Sequence, residues 1–103
     1  MNKTIETDRV IFRKFNNGEV IAFFPHIPAD NTGYYCQSYM HCGQHGGADP
    51  ELVYSTKLAN QDEYASLRKE LEQIGYKLKI ALRMSPKDFI IRKEAIAKNY
   101  NLV

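Results

Sequence analysis

Two short runs near the N-terminus, Arg9 to Phe15 and Glu19 to Phe24, are dense in Val, Ile and Phe. They flank Asn16-Asn17-Gly18, residues that tolerate the positive φ of a tight turn, and the pattern predicts a β-hairpin. In the second run both alternating sets are apolar, Val20, Ala22 and Phe24 on one side and Ile21 and Phe23 on the other. That predicts a central strand buried on both faces. Pro25 has no N–H to give and is expected to end that strand's ladder. A loop from His26 to Gly33 follows, with Pro28 and the turn sequence Asp30-Asn31-Thr32-Gly33. The aromatic-rich stretch Tyr34 to His41 then predicts a third strand.

Helical signals begin at Asp49-Pro50, an N-cap residue followed by a first-turn proline, which predicts a turn or two of helix to about Ser55. The fuller signal is Asn60-Gln61-Asp62-Glu63, where Asn60 caps a helix and Glu63 reaches back to the cap's own N–H. Tyr64, Leu67, Leu71 and Ile74 form one stripe, and Gly75 stands where a left-handed cap residue is wanted. Tyr76, Leu78, Ile80, Leu82 and Met84 alternate with Lys77, Lys79, Ala81 and Arg83, which predicts a fourth strand with one wet face. Ser85-Pro86 starts a last helix, with Phe89, Ile96 and Tyr100 expected on its inner face beside Ile90 and Ala97.

The pattern therefore predicts an α+β fold: a small, mostly antiparallel sheet of about four strands with two main helices packed on one face. At 103 residues the chain has room for a single domain, residues 1–103, around one modest core. Hydrophobic residues at 44% and charged residues at 25% exclude the disordered class. No run approaches the roughly 20 apolar residues of a membrane span, and the N-terminal residues carry no apolar secretory segment, so a cytoplasmic location without membrane contact is expected. Two cysteines are too few for a disulfide framework.

The chemistry concentrates in residues 36–49, CQSYMHCGQHGGAD, which hold both cysteines, two of the three histidines and three of the six glycines. Cys36, His41, Cys42 and His45, with His26 in reserve, are ligand types that zinc accepts. The spacing lacks the paired knuckles of structural zinc sites, and a regular strand would set Cys36 and His41 on opposite faces, so no metal and no cofactor is expected. His41 and His45 also have the chemistry of an acid and a base, with Tyr35 or Tyr39 as donor. A binding loop asks least of the sequence: N–H groups of Gly43, Gly46 and Gly47 with Gln44 and the imidazoles, beside Tyr34, Tyr35, Tyr39 and Tyr54. The same glycines serve a tight turn equally well, and the same cysteines serve as small core fillers.

Charge adds a second candidate. Residues 1–65 carry five Lys/Arg against eight Asp/Glu, a net of −3, whereas residues 66–103 carry nine against four, a net of +5. Lys77, Lys79 and Arg83 on the fourth strand, with Lys87, Arg92, Lys93 and Lys98 on the last helix, make a basic face suited to nucleic acid. An ordinary solvated surface has the same composition.

The strings VIFRKFNNGEVIAFFPHIP, YCQSYMHCGQHGGAD and YASLRKELEQIGYKLKI, within about residues 9–83, resemble a group of short uncharacterised proteins of bacteria, phages and mobile elements. The shared features are an FRKF strand (Phe12 to Phe15), a G-Q-H loop (Gly43 to His45) and an E-x-I-G-Y helix end (Glu72 to Tyr76). The resemblance implies no activity, and the helix after Arg83 falls outside the group's usual extent. The reading that results is a non-enzymatic binding protein. It engages a macromolecular partner or a small polar ligand through His41, Gly43, Gln44, His45, Tyr35 and Tyr39, with nucleic-acid binding and a hydrolytic or metal site as alternatives.

Overall fold

The computed structural model describes residues 7–41 and 44–101, the side chains of Gln44, Asn99, Tyr100 and Asn101 excepted. Six strands, β1 (Asp8–Lys14), β2 (Val20–Pro28), β3 (Cys36–Met40), β4 (Gln44–Ala48), β5 (Lys57–Leu58) and β6 (Leu78–Ile80), form one sheet. Its order is β4-β3-β2-β1-β5, with β6 also on β1. Two α-helices, α1 (Gln61–Ile74) and α2 (Pro86–Asn101), and a 3-10 helix, Pro50–Ser55, complete the α+β fold. All pairings are antiparallel except β1 with β6.

The predicted hairpin is β1–β2, with Ile11 opposite Phe23 and Gly18 at φ 92° in the turn. β2 lies between β1 and β3, and its two apolar faces feed two cores. On one face Val10, Phe12, Val20, Ala22, Phe24 and Tyr39 bury Tyr64, Leu67 and Leu71 of α1. At about 1.5–3 kcal/mol per buried large side chain, this stripe outweighs the contribution of about 1 kcal/mol expected from an N-cap. The cap is nonetheless complete: Asn60 accepts from the Glu63 N–H, and Glu63 accepts from the Asn60 N–H.

The opposite face, Ile11, Ile21 and Phe23, gathers Cys36, Ala48 and Val53 of the 3-10 helix. The helices therefore do not share one face, and the sheet is larger than the four strands expected. A strand apolar on both sides needs cover on both. Arg13 fixes the second cover, its Nη2 donating to the Val53 carbonyl at 2.7 Å and its Nε to Thr56 Oγ1 at 3.1 Å.

Two expectations about boundaries are corrected. β2 does not stop at Pro25: the ladder shifts register between Phe24 and Pro28, and the Pro25 carbonyl is satisfied by Arg92 instead of by β3. The fourth predicted strand is only Leu78–Ile80, paired with Asp8, Arg9 and Val10, because β5 takes Arg13 and Lys14 farther along β1. Beyond it Ala81 and Met84 turn to the second core, while Leu82, expected inward, is exposed.

The inner face of α2 is mixed: Ile96 is half-buried there as expected, with Ile91, but two charged residues share it. Phe89 and Ile90 are 41% and 54% exposed, whereas Asp88 and Arg92 are buried. Asp88 Oδ2 accepts from the Ser85 N–H at 2.7 Å, and Oδ1 lies 2.9 Å from His26 Nε2 and 3.4 Å from Arg9 Nε. The side chain of Tyr100, also expected inside, lies outside the described residues.

A histidine-rich hairpin clasped by the first helix

The binding loop expected around Gly43, Gln44, Gly46 and Gly47 is, from Gln44 on, a strand. β4 pairs with β3 in the register Cys36–Ala48, Gln37–Gly47, Ser38–Gly46, Tyr39–His45 and Met40–Gln44. Gly46 and Gly47 do not have positive φ; extended backbone here needs no glycine. The hairpin's tip holds His41, and Cys42 and Gly43 lie outside the described residues.

Register decides which side chains meet. Tyr39 and His45 are cross-strand partners, and their rings meet at 4.6 Å with an interplanar angle of 65°. That pair sits on the α1 side of the sheet, since Tyr39 belongs to the first core. The Tyr39 hydroxyl donates to Glu70 Oε2, and His41 Nδ1 lies 2.7 Å from Glu70 Oε1. Ser66 Oγ is 3.0 Å from His41 Nε2, and His45 Nε2 is 3.1 Å from the Tyr76 hydroxyl. Tyr76 in turn stacks on Phe24 at 4.9 Å, and its burial raises the pKa of its phenol.

Chemistry assigns the protons. A carboxylate only accepts, so His41 donates from Nδ1 to Glu70, which in the neutral ring leaves Nε2 to accept from the Ser66 hydroxyl. The result is a chain Ser66–His41–Glu70 in which the hydroxyl meets one ring nitrogen and the carboxylate the other. The His41 side chain remains 48% exposed.

The other sequence candidates separate from this cluster. Gln44 pairs with Met40, one residue out of phase with the Tyr39–His45 pair, and its side chain lies outside the described residues. Tyr35 stands at the far end of β3, six residues or roughly 20 Å of extended chain from His41, edge-on to Tyr34. Cys36 is buried in the second core, and burial pushes its thiol up to about 11. It is thus on the face opposite His41, and among the described residues no three His, Cys, Asp or Glu side chains assemble a metal-sized cluster. His26 is engaged by Asp88.

The basic face is reduced. Lys77, Lys79, Arg83 and Lys87 are exposed. Arg92 is 2% exposed and leaves the face: Nε donates to the Gly33 carbonyl at 2.7 Å, Nη1 to Pro25 at 2.7 Å and Nη2 to Tyr34 at 3.1 Å. Lys93 lies beside the same loop, with Nζ 3.4 Å from the Thr32 carbonyl.

Ser66, Glu70 and Tyr76 were not legible as site residues. Their only sequence signal is that Ser66 and Glu70 stand four apart on α1, flanking the Leu67–Leu71 stripe, which puts both on one helix side. Among the described residues no helix is long and apolar enough to cross a membrane. No protein family's sequence profile matches the chain, and no curated protein or solved structure is significantly similar to it.

Proposed function

We propose that the chain is a small non-enzymatic binding protein that engages a macromolecular partner or a small polar ligand through the tip and α1-side face of the β3–β4 hairpin. The observation that supports this reading is the clasp itself. His41 and His45 are both exposed yet fixed, one by Glu70 and Ser66 and the other by Tyr39 and Tyr76. Side chains already held in one orientation lose little conformational entropy on contact, which favours a recognition surface over a flexible loop. Replacing His41, Gln44 and His45 together by Ala tests it, with partner capture and a thermal melt measured on the same preparation. Loss of capture by a folded variant is expected. Unchanged capture removes the hairpin from consideration.

A second reading, hydrolysis, rests on the order Ser66–His41–Glu70. In an acyl transfer Ser66 Oγ would add to the carbonyl carbon of an ester as His41 Nε2 takes its proton. Glu70 would hold the Nδ1–H, and the leaving alcohol would recover the proton before water releases the acyl group. A fluorophosphonate probe decides the matter: labelling of the native chain at Ser66, absent in Ser66→Ala and in His41→Ala, is the outcome this reading requires. An unlabelled Ser66 ends it.

A further inference from the structure

Independently of the hairpin, we propose that the groove between the 3-10 helix and the start of α2 is a binding site for a small organic cation bearing an alkylated ammonium group. The groove has a volume of about 440 Å³, within the range of roughly 300–1,000 Å³ typical of ligand pockets. Its walls are Tyr34, Tyr54, Phe89, Pro50 and Met84, an apolar lining dominated by aromatic rings. Tyr54 is 82% exposed, and nothing in the fold accounts for so large an aromatic surface left in water beside an open groove.

The charge at this site selects the ligand. Asp49 Oδ1 and Glu51 Oε2 lie 2.9 and 3.0 Å from the single Tyr34 hydroxyl, which has one proton to give. The hydrogen bond to Asp49, foremost, raises the pKa of that phenol, so it stays a donor. Neither carboxylate has a Lys or Arg ion-pair partner among the described residues. Two carboxylates therefore converge on one hydroxyl at the edge of an aromatic groove, with negative charge left over.

Arg92 also borders the groove, but its three nitrogens donate to the carbonyls of Gly33, Pro25 and Tyr34. Those dipoles hold the guanidinium without neutralising it, so Asp49 and Glu51 against Arg92 leave one negative charge at the groove. The Arg92 guanidinium carbon lies 5.8 Å from the Phe89 ring centroid, so one groove ring already faces a cation. Alkylated ammonium groups fit such surroundings because their methyl groups bury against aromatic faces while their charge meets ring quadrupoles and carboxylates.

Choline is the probe, and 3,3-dimethyl-1-butanol, its uncharged isostere, is the control, each titrated against the intact chain by two-dimensional NMR at constant ionic strength. Saturable shifts centred on Tyr34, Glu51, Tyr54 and Phe89 with choline, and weaker binding of the isostere, are expected. Tyr54→Ala and Glu51→Gln, at exposed positions that the cores do not use, should each weaken choline by roughly threefold to thirtyfold with unchanged melting. Equal affinity for the isostere, shifts centred elsewhere, full affinity in both variants, or no saturable shift at tens of millimolar choline would each overturn the site.

Discussion

Arg92 Nη1 donates to the Pro25 carbonyl at 2.7 Å, joining two residues 67 positions apart in the chain. The contact explains two departures from the sequence pattern together. Pro25, at the bulge of β2, and Gly33 and Tyr34, in the loop before β3, present backbone carbonyls side by side, and a guanidinium, with donors arranged in a fork, meets all three from α2. The inner face of α2 carries Asp88 and Arg92 beside Ile91 and Ile96 because part of the surface it packs on is polar.

Removing that guanidinium should be costly. Arg92→Met strands the carbonyls of Pro25, Gly33 and Tyr34 without donors and is expected to lose at least about 3 kcal/mol in urea unfolding. Arg92→Lys should recover only part of this, since an ammonium cannot span the three acceptors. A loss below about 1 kcal/mol for Arg92→Met would mean that water satisfies the bulge.

The glycines should divide by backbone conformation. Gly75, at φ 125° with open space about its Cβ position, caps α1 through its N–H to the Leu71 and Glu72 carbonyls. Gly75→Ala is expected to lower stability by about 1 kcal/mol through backbone strain alone. Gly46 has equal room but lies in β4 without positive φ, so Gly46→Ala should be neutral or stabilising by a few tenths of a kcal/mol. Thermal melts of the two variants check this, and destabilisation by Gly46→Ala would contradict the strand assignment.

The capping box should carry a pH signature. The Asn60 N–H, and after it Lys14, hold the Glu63 carboxyl below its usual value. A depressed folded-state pKa gives stability that is present above the unfolded value, about 4.3, and is lost as pH falls through the folded one. Glu63→Gln should therefore melt below the native chain at neutral pH, with the difference shrinking in acid. A gap that stays constant down to acid denaturation would assign the effect to packing.

Cys36 should be inert while the chain is folded. Burial pushes its thiol up to about 11, so at pH 8 it is neutral and enclosed. In a Cys42→Ser background, a thiol reagent is expected to modify Cys36 only as fast as the chain opens, and mild urea should accelerate it. The same shift has a stability consequence. The unfolded thiol ionises near 8.5 while the folded one holds its proton to about 11, so the unfolded state is favoured as pH rises between them. A Cys36→Ala variant should lack that alkaline loss.

Much of the fold was legible because its causes are local. Turn chemistry at Asn16–Gly18, the Asn60–Glu63 box, the Tyr64–Leu67–Leu71 stripe and the Gly75 cap each act within a few residues and are found where the pattern puts them, whereas Ile74, expected on the same stripe, is 52% exposed. The apolar faces of Val20–Phe24 likewise announced a central strand. What local pattern could not supply was partnership. Gln44–Ala48 has no strand propensity of its own and becomes β4 because β3 offers a free edge, and Leu78–Ile80 stops at Val10 because β5 takes the rest of that β1 edge.

The candidate sites divide in the same way. The residues around His41 and His45 drew attention by composition, but their environment comes from Ser66, Glu70 and Tyr76, brought against them by the packing of α1 on the sheet. Arg92 looked like surface charge and is a buried donor, because only the fold brings the Pro25 carbonyl beside those of Gly33 and Tyr34. Sequence alone determined the strand and helix signals that rest on neighbours along the chain. Tertiary structure decided every feature that depends on long-range hydrogen bonds and on which face of the sheet a helix covers, since those energies exist only once distant segments meet.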